Sequence, residues 1–237
     1  MPKTLIVSDI HEDWRYVQRA EELAAGADAV VALGDYWDSW DGVTAATHQI
    51  ISWVKEKMYD PKWTLLFGNH DLHYAFPMRE LRCSGYSLIR QQLITPSFKS
   101  RDWGRLKFHT WVDDWLLTHA GIVPQTLPEA VTNRKRLLTY CRRTESNVQT
   151  QLNKLDATHP WLAAGFSRGG RAEFGGLVWA DWSDMGVIPG VNQLLGHTEA
   201  FEIRRKVKDG FQSVCMDTQR RHFGWIENGE LVFEAAK

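Results

Sequence analysis

Five short motifs recur along the chain in one order: Asp9-Ile10-His11, Gly34-Asp35-Tyr36-Trp37-Asp38, Gly68-Asn69-His70-Asp71, Thr118-His119-Ala120-Gly121 and Gly196-His197-Thr198. Each carries a carboxylate or amide oxygen or an imidazole nitrogen. These ligand types suit Mn2+, Fe, Zn2+ or Ni2+, and no thiolate is among them. One such motif says little, because an isolated aspartate or histidine at a strand end more often caps a helix or makes a hydrogen bond. Five in order read as a site for two metal ions.

The elements that must position these residues follow from the apolar pattern. Apolar runs bounded by Gly, Asp or Asn occupy residues 5–7, 29–33, 64–67, 115–117 and 193–195, and each predicts a short buried strand. Stretches of helical period at 14–25 and 44–58 lie between the first three. Alternation of strand and helix predicts an α/β fold with a mostly parallel sheet. The ligand crevice of such a sheet lies beyond the carboxyl ends of its strands, which is where every motif falls. Residues 132–154 are polar and helical in composition, lie between Pro124/Pro128 and Pro160, and read as a cap beside the sheet. From residue 201 onward, apolar alternation and a turn at Asn228-Gly229 predict consecutive antiparallel strands forming a second sheet packed on the first. Residues 1–237 are expected to form a single domain with a helical cap-like segment around 124–165.

Composition narrows the setting. The chain has 237 residues, 43% of them hydrophobic, enough for one sizeable core. Its 28 basic and 29 acidic residues leave a net charge of −1, so charge as a whole draws it neither to nucleic acid nor to a membrane. Any phosphate affinity must be local. The run Arg134-Lys135-Arg136 with Arg142-Arg143 reads as a solvated helix face. Cys83, Cys141 and Cys215 are odd in number and scattered, which argues against a disulfide framework and for a reducing, cytoplasmic setting. No apolar run approaches the ~18 residues of a membrane-spanning helix.

With these motifs in this order, the chain resembles the calcineurin-like metallophosphoesterase superfamily over residues 9–198. The resemblance implies a four-layer α/β/β/α sandwich with two mixed β-sheets and two divalent metals, most often Mn2+, about 3 to 4 Å apart. By motif position, Asp9 and His11 hold the first metal, Asp35 bridges both, and Asn69, His119 and His197 complete the second. Two aspartates among neutral ligands leave the centre positive, so that it attracts phosphate and acidifies a bridging hydroxide that attacks phosphorus. His70 is the implied acid for the leaving group, with Asp38 orienting it.

The sequences Leu177-Val178-Trp179-Ala180-Asp181, His119-Ala120-Gly121-Ile122-Val123-Pro124-Gln125 and Gly196-His197-Thr198 are similar to the phosphoprotein-phosphatase and diadenosine-tetraphosphatase branch. The chain departs from that branch in three places. Glu12 stands where the branch has Gly, Ser39-Trp40 where it has Arg-Gly, and no Arg lies between Asp181 and Gly196. Glu199 occupies a position that is often a metal-binding His, and is expected to be unligated. Arg168 and Arg171, flanking a Gly pair, are candidates to replace the missing phosphate clamps. Trp37 and Trp40 are candidates to stack a base or aromatic leaving group, although tryptophans so placed more often pack in the core. The reading is a metal-dependent phosphoesterase acting on a phosphomonoester, as in a phosphoprotein, or on a nucleoside polyphosphate. A phosphodiesterase on cyclic nucleotides or nucleic acid, and a non-catalytic binding scaffold of the same fold, are the alternatives.

Overall fold

The computed structural model describes residues 2–40 and 45–236. Its first half alternates strand and helix: Lys3–Val7 (β1), Trp14–Ala24 (α1), Ala29–Ala32 (β2), Ala45–Lys57 (α2) and Trp63–Leu65 (β3). Thr44, where the sequence pattern starts the second helix, lies outside the described residues. The strands are mostly apolar on both faces, as in Leu5-Ile6-Val7 and Ala29-Val30-Val31-Ala32, because both faces of the sheet are covered. Leu5 and Val7 pack in one cluster with Val17 and Ala20 of α1 and Ile50 of α2. Ile6 points the other way, into a cluster with Trp115, Leu117, Leu194 and Val214 of the second sheet. The N-cap Asp13 starts α1 by accepting a bond from Tyr16 N at 3.0 Å, and Tyr16, Val17, Ala20 and Ala24 form its buried stripe.

The chain continues through Asn69–Ala75 (α3), Leu88–Ile94 (α4), Ser100–Trp103 (α5), His109–Val112 (β4), Trp115–Thr118 (β5), Arg134–Asn153 (α6) and Asn192–Leu195 (β6). It ends in Arg204–Lys208 (β7), Phe211–Cys215 (β8), His222–Glu227 (β9) and Glu230–Ala235 (β10). Two five-stranded sheets result, ordered β10-β9-β1-β2-β3 and β4-β5-β6-β8-β7. Both are mixed: β1, β2 and β3 are mutually parallel, as are β5, β6 and β8, while β9, β10, β4 and β7 are antiparallel to their neighbours. With α1 and α2 outside one sheet and α6 outside the other, the architecture is the four-layer α/β/β/α sandwich.

Helix α6 opens on Asn133, which accepts from Arg136 N at 3.0 Å, and buries Leu137, Cys141, Thr144, Val148 and Leu152 along one stripe. Glu145 ties it to the second sheet by accepting from Phe108 N at 2.6 Å. Its basic end is occupied locally, with Arg134 paired to Asp114 and Arg136 donating to Ala130 O at 3.0 Å.

The last four strands depart from the sequence expectation. They do not all extend the second sheet. Only β7 and β8 do, whereas β9 pairs antiparallel with β1, Leu5 opposite Trp225, and β10 follows it through the expected Asn228-Gly229 turn. Both turn residues have positive φ, 55° and 77°, as a tight two-residue hairpin requires. Alternating apolar residues report that a segment pairs as a strand but not whose edge it fills, and the open edge of β1 accepted the hairpin. Residues 216–221 therefore cross from the second sheet to the first. The cysteines are free, and no helix among the described residues is long and apolar enough to cross a membrane.

Candidate metal centre

The parallel strands point their carboxyl ends at one place. Asp9 and His11 follow β1, Asp35 follows β2, Asn69 and His70 open α3 just after β3, His119 follows β5 and His197 follows β6. Asp35 is the hub. Its Oδ2 lies 3.7 Å from His11 Nε2 and 3.3 Å from His119 Nε2, while its Oδ1 accepts from His70 N at 2.9 Å. His119 Nε2 is also 3.0 Å from Asn69 Oδ1 and 3.1 Å from His197 Nδ1. Asp9 Oδ1 accepts from His197 N at 2.9 Å, which stitches the two sheets together at the site, and Asp9 Oδ2 accepts the Ser8 hydroxyl.

The hydrogen bonds behind these side chains show what they fit. His11 Nδ1 lies 2.8 Å from Trp37 O, and His119 Nδ1 lies 2.9 Å from Leu33 O. A carbonyl only accepts, so each Nδ1 carries the proton and each neutral ring turns the Nε2 lone pair toward Asp35. Lone pairs on two imidazoles, a carboxylate and an amide thus converge in a buried space. That arrangement is repulsive unless a cation or proton lies between them, and backbone-held histidine is the usual support of a metal ligand. His197 Nε2, buried with no hydrogen-bond partner among the described residues, adds a further uncommitted lone pair. Two donor groups, His11–Asp35–His70 and Asp35–His119–His197, share Asp35. The donor set fits divalent cations.

Electrostatics at the cluster follow the same geometry. Burial opposes charge on Asp35, but the imidazoles of His119, His70 and His11 outweigh it and hold the carboxyl well below the usual range. Burial likewise opposes charge on His119, yet Asp35 raises that ring to about 9, so that with no cation between them a proton on Nε2 takes its place, and a bound cation would displace it to leave the ring neutral. His70 Nδ1 donates to Asp38 Oδ2 at 2.9 Å. Asp38 is fully buried, lies 3.1 Å from His73 Nε2, and accepts the Tyr74 hydroxyl. Against the cost of burial, His70 and His73 bring its carboxyl down to about 2. Cys83 Sγ lies 3.5 Å from His70 Nδ1 and 3.6 Å from His73 Nδ1.

The backbone is strained to achieve this convergence. Of the twelve non-glycine residues with positive φ among the described residues, six are Asp9, His11, Glu12, Asp35, Asp38 and His197. Each such conformation costs of order 1–3 kcal/mol, persists only where surroundings enforce it, and characteristically marks a functional site. The enforcement is visible in Asp71, a residue of the third motif to which sequence reasoning gave no role. Its carboxylate accepts from Asp35 N at 2.8 Å, Tyr36 N at 2.9 Å and Gly68 N at 2.7 Å, locking the second motif to the third. Gly68 is required because a Cβ there would meet Asp35 Oδ1 at 2.0 Å, and Gly196 because a Cβ would meet Asp9 Oδ2 at 2.1 Å.

Glu12, one of the departures noted in the sequence, is buried and saturated. It accepts from Arg90 (Nη2 at 2.8 Å), Ser39 Oγ at 2.8 Å and Thr47 Oγ1 at 2.8 Å. An arginine 78 residues away in the chain gives no signal in sequence that it would be this partner.

A cavity of about 180 Å³ opens over the cluster, lined by His11, Asp35, Asn69, His70 and His197 together with Trp40, Trp179, Arg168, Glu199 and Arg220. The four candidate substrate contacts separate here. Trp40 is 73% exposed and lines the cavity. Trp37 is fully buried against Tyr36, Tyr74 and Phe98, so no ring face is free to stack a substrate, and the sequence expectation for it is corrected. Arg168 lines the cavity, held by Asp181 at 2.7 Å and donating to Thr198 Oγ1 at 2.8 Å. Arg171 is exposed and outside the cavity lining, because the left-handed Gly169 (φ 72°) ends the turn between the two arginines. Arg220 was not anticipated, since it arrives on the sheet-to-sheet crossover that strand alternation did not reveal. No residue of α6 lines this cavity.

Among solved structures, a cold-active protein-tyrosine phosphatase from a psychrophilic Shewanella species superimposes with a TM-score of 0.61 at 14% identity, covering 100% of this chain and 78% of its own. A protein serine/threonine phosphatase from Saccharomyces cerevisiae gives 0.54 at 13% identity, covering 98% and 79%. At such identities the likeness speaks for the fold alone. No curated protein sequence matches the chain. Residues 2–198, which contain all five motifs, match the calcineurin-like phosphoesterase family. The chain therefore belongs to the calcineurin-like phosphoesterases and is a metal-dependent hydrolase of phosphoric esters.

Proposed function

We propose that the protein is a dinuclear phosphoesterase that hydrolyses phosphomonoesters or nucleoside polyphosphates. The observation that carries this reading is Asp35 Oδ2 set between His11 Nε2 and His119 Nε2, 3.7 and 3.3 Å away, with the His70–Asp38 pair at its side. Asp9, His11 and Asp35 would hold one ion, and Asp35, Asn69, His119 and His197 the other. The oxygen- and nitrogen-rich donor set favours Mn2+, with Fe, Zn2+ or Ni2+ as alternatives. Bound ions would stabilise charge on the phosphoryl oxygens and acidify the attacking water.

The chain's own residues supply the remainder. His70 gives its Nε2 proton to the leaving oxygen while Asp38, bonded to Nδ1, fixes the ring and stabilises its charged form. Asp35 and Asp38 push the pKa of His70 well above the ordinary value despite burial. Arg168 is positioned to bind a non-bridging phosphoryl oxygen. Three free cysteines suit a reducing compartment, and we place the protein in the cytoplasm.

The test compares chelator-stripped protein with and without added Mn2+ on an aryl monoester, an aryl diester, a phosphopeptide and a nucleoside polyphosphate. Metal-dependent release from a monoester or polyphosphate is expected. His70→Ala should retain its metal content and lose about 10²- to 10⁴-fold on an alkyl ester, and much less on an activated aryl ester that leaves without a proton. Equal losses on both esters would remove His70 from the acid role. Turnover confined to diesters would replace the reading with a phosphodiesterase.

A further inference from the structure

The cavity over the cluster does not end the cleft. A second cavity of about 450 Å³ adjoins it and is lined by His11, Trp40 and Arg220, which also line the first, and by Glu12, Asp13, Trp14 and Arg15. The volumes differ in meaning. Small-molecule sites run about 300–1,000 Å³. The first cavity, below that range, suits a phosphoryl group, whereas the second is large enough for what is attached to it.

Three guanidinium groups are arranged in order along this path. Arg168 lines the first cavity, Arg220 lines both, and Arg15 lines the second. A single phosphate would use one or two of them, but a chain of phosphates meets each in turn. Trp14 and Trp40 add indole rings in the second cavity, where a planar base would stack. The carboxylates there are already engaged: Glu12 is bonded to Arg90, and Asp13 Oδ2 lies 3.3 Å from Arg220 Nε. Gln219 and Arg220 both have positive φ, 57° and 61°. Strained backbone in a loop bordering the cleft requires the crossover to be held in place, and it sets Arg220 where the two cavities meet.

We infer that the second cavity is a leaving-group subsite for a nucleoside polyphosphate, with Arg220 binding the phosphate next to the scissile one and Trp40 stacking the base. This rests on the phosphoesterase reading above and narrows it to one substrate class. The reaction itself is unchanged: water attacks the phosphorus beside the metal centre, the P–O bond to the next phosphate breaks, and that phosphate departs with its nucleoside.

The test uses the metal-loaded protein and compares kcat/KM on adenosine triphosphate, inorganic tripolyphosphate, a small aryl phosphate and a serine phosphopeptide. Arg220→Ala should lower the value for adenosine triphosphate and tripolyphosphate about 10- to 100-fold more than for the aryl phosphate. Trp40→Ala should cost about tenfold more on adenosine triphosphate than on tripolyphosphate, which has no base to stack. Calorimetric binding of the non-hydrolysable β,γ-methylene triphosphate of adenosine should weaken in both variants. Equal losses on all substrates, or selective losses on the phosphopeptide, would overturn the subsite. Absence of turnover on every ester would instead fail the phosphoesterase reading, and the binding measurement would still decide the subsite. Unchanged analogue affinity in both variants overturns it.

Discussion

The floor and the rim of the cleft are built by different means. On the floor, Asp9, His11, Asp35, Asn69, His119 and His197 all follow strands whose positions are set by two packed sheets. Their orientations are fixed by backbone groups: Trp37 O and Leu33 O behind two histidines, and backbone N–H groups donating to Asp9 and Asp35. On the rim, Arg168, Arg220 and Trp40 sit on loops between one-quarter and three-quarters exposed, and each arginine is steadied by a carboxylate. A floor held by main-chain groups cannot adjust, which suits a site that must place charge to within a fraction of an ångström. A rim held by side chains can be re-equipped without disturbing the floor, as the loops that carry binding residues on a rigid scaffold generally are.

The largest effect should come from the hub. Asp35→Asn keeps the shape but removes the carboxylate charge on which both donor groups converge. Loss of an outer partner of a metal ligand already costs about 10- to 100-fold. Loss of the carboxylate shared by both donor groups should exceed that in turnover and should lower metal content after gel filtration. A variant that retained both full metal content and activity would show that the floor is not organised around Asp35.

The next effect lies where floor and rim are joined. Glu12 follows His11, Ser39 precedes Trp40, and Arg90 on α4 binds both, reaching Glu12 Oε2 and Ser39 O at 2.8 Å. Arg90→Met leaves the Glu12 carboxylate buried without its cation, and breaking such a pair costs about 3–5 kcal/mol. Chemical denaturation should report that loss. Under about 1 kcal/mol would mean that the junction is held by something other than this network.

The same contrast explains what could be read from the amino-acid order. Floor residues were legible because strand ends are local: an apolar run, a glycine and a carboxylate or imidazole are contiguous, as in 193–197 or 64–71. The glycines of those motifs have the same explanation, since Gly68 and Gly196 leave room for the aspartates of other motifs. The role of Asp71 was hidden, because two of its three acceptor bonds reach Asp35 and Tyr36, 36 and 35 residues away, in an approach only the folded sheet creates. Arg90 and Arg220 were illegible for the same reason. Arg220 also depended on a topological choice, the crossing from β8 to β9, that period-two alternation cannot encode. For Trp37 the packing alternative holds over stacking, because its neighbours in sequence are site residues while its neighbours in space are Tyr74 and Phe98.

The smallest effect separates two arginines on one rim loop. Ser167-Arg168-Gly169-Gly170-Arg171 places them symmetrically about a Gly pair, and by sequence either could meet a phosphate. The fold distinguishes them. Arg168 is half-buried, and its Nε–Asp181 and Nη2–Thr198 contacts hold the guanidinium over the cavity before substrate arrives. Pre-organisation of this kind lowers the conformational entropy lost on binding. Gly170 cannot be replaced by a residue with a side chain, since a Cβ there would meet Ala164 O at 1.9 Å, so the loop returns against 164 and carries Arg171 into solvent. Arg168→Ala should therefore lower kcat/KM about tenfold or more, the value of one charge-assisted bond. Arg171→Ala should cost less than about threefold, and less still at raised ionic strength, because an exposed charge acts only through screened attraction. Equal losses from the two would mean that the rim binds phosphate by net charge alone, and that the geometry separating Arg168 from Arg171 has no part in choosing the substrate.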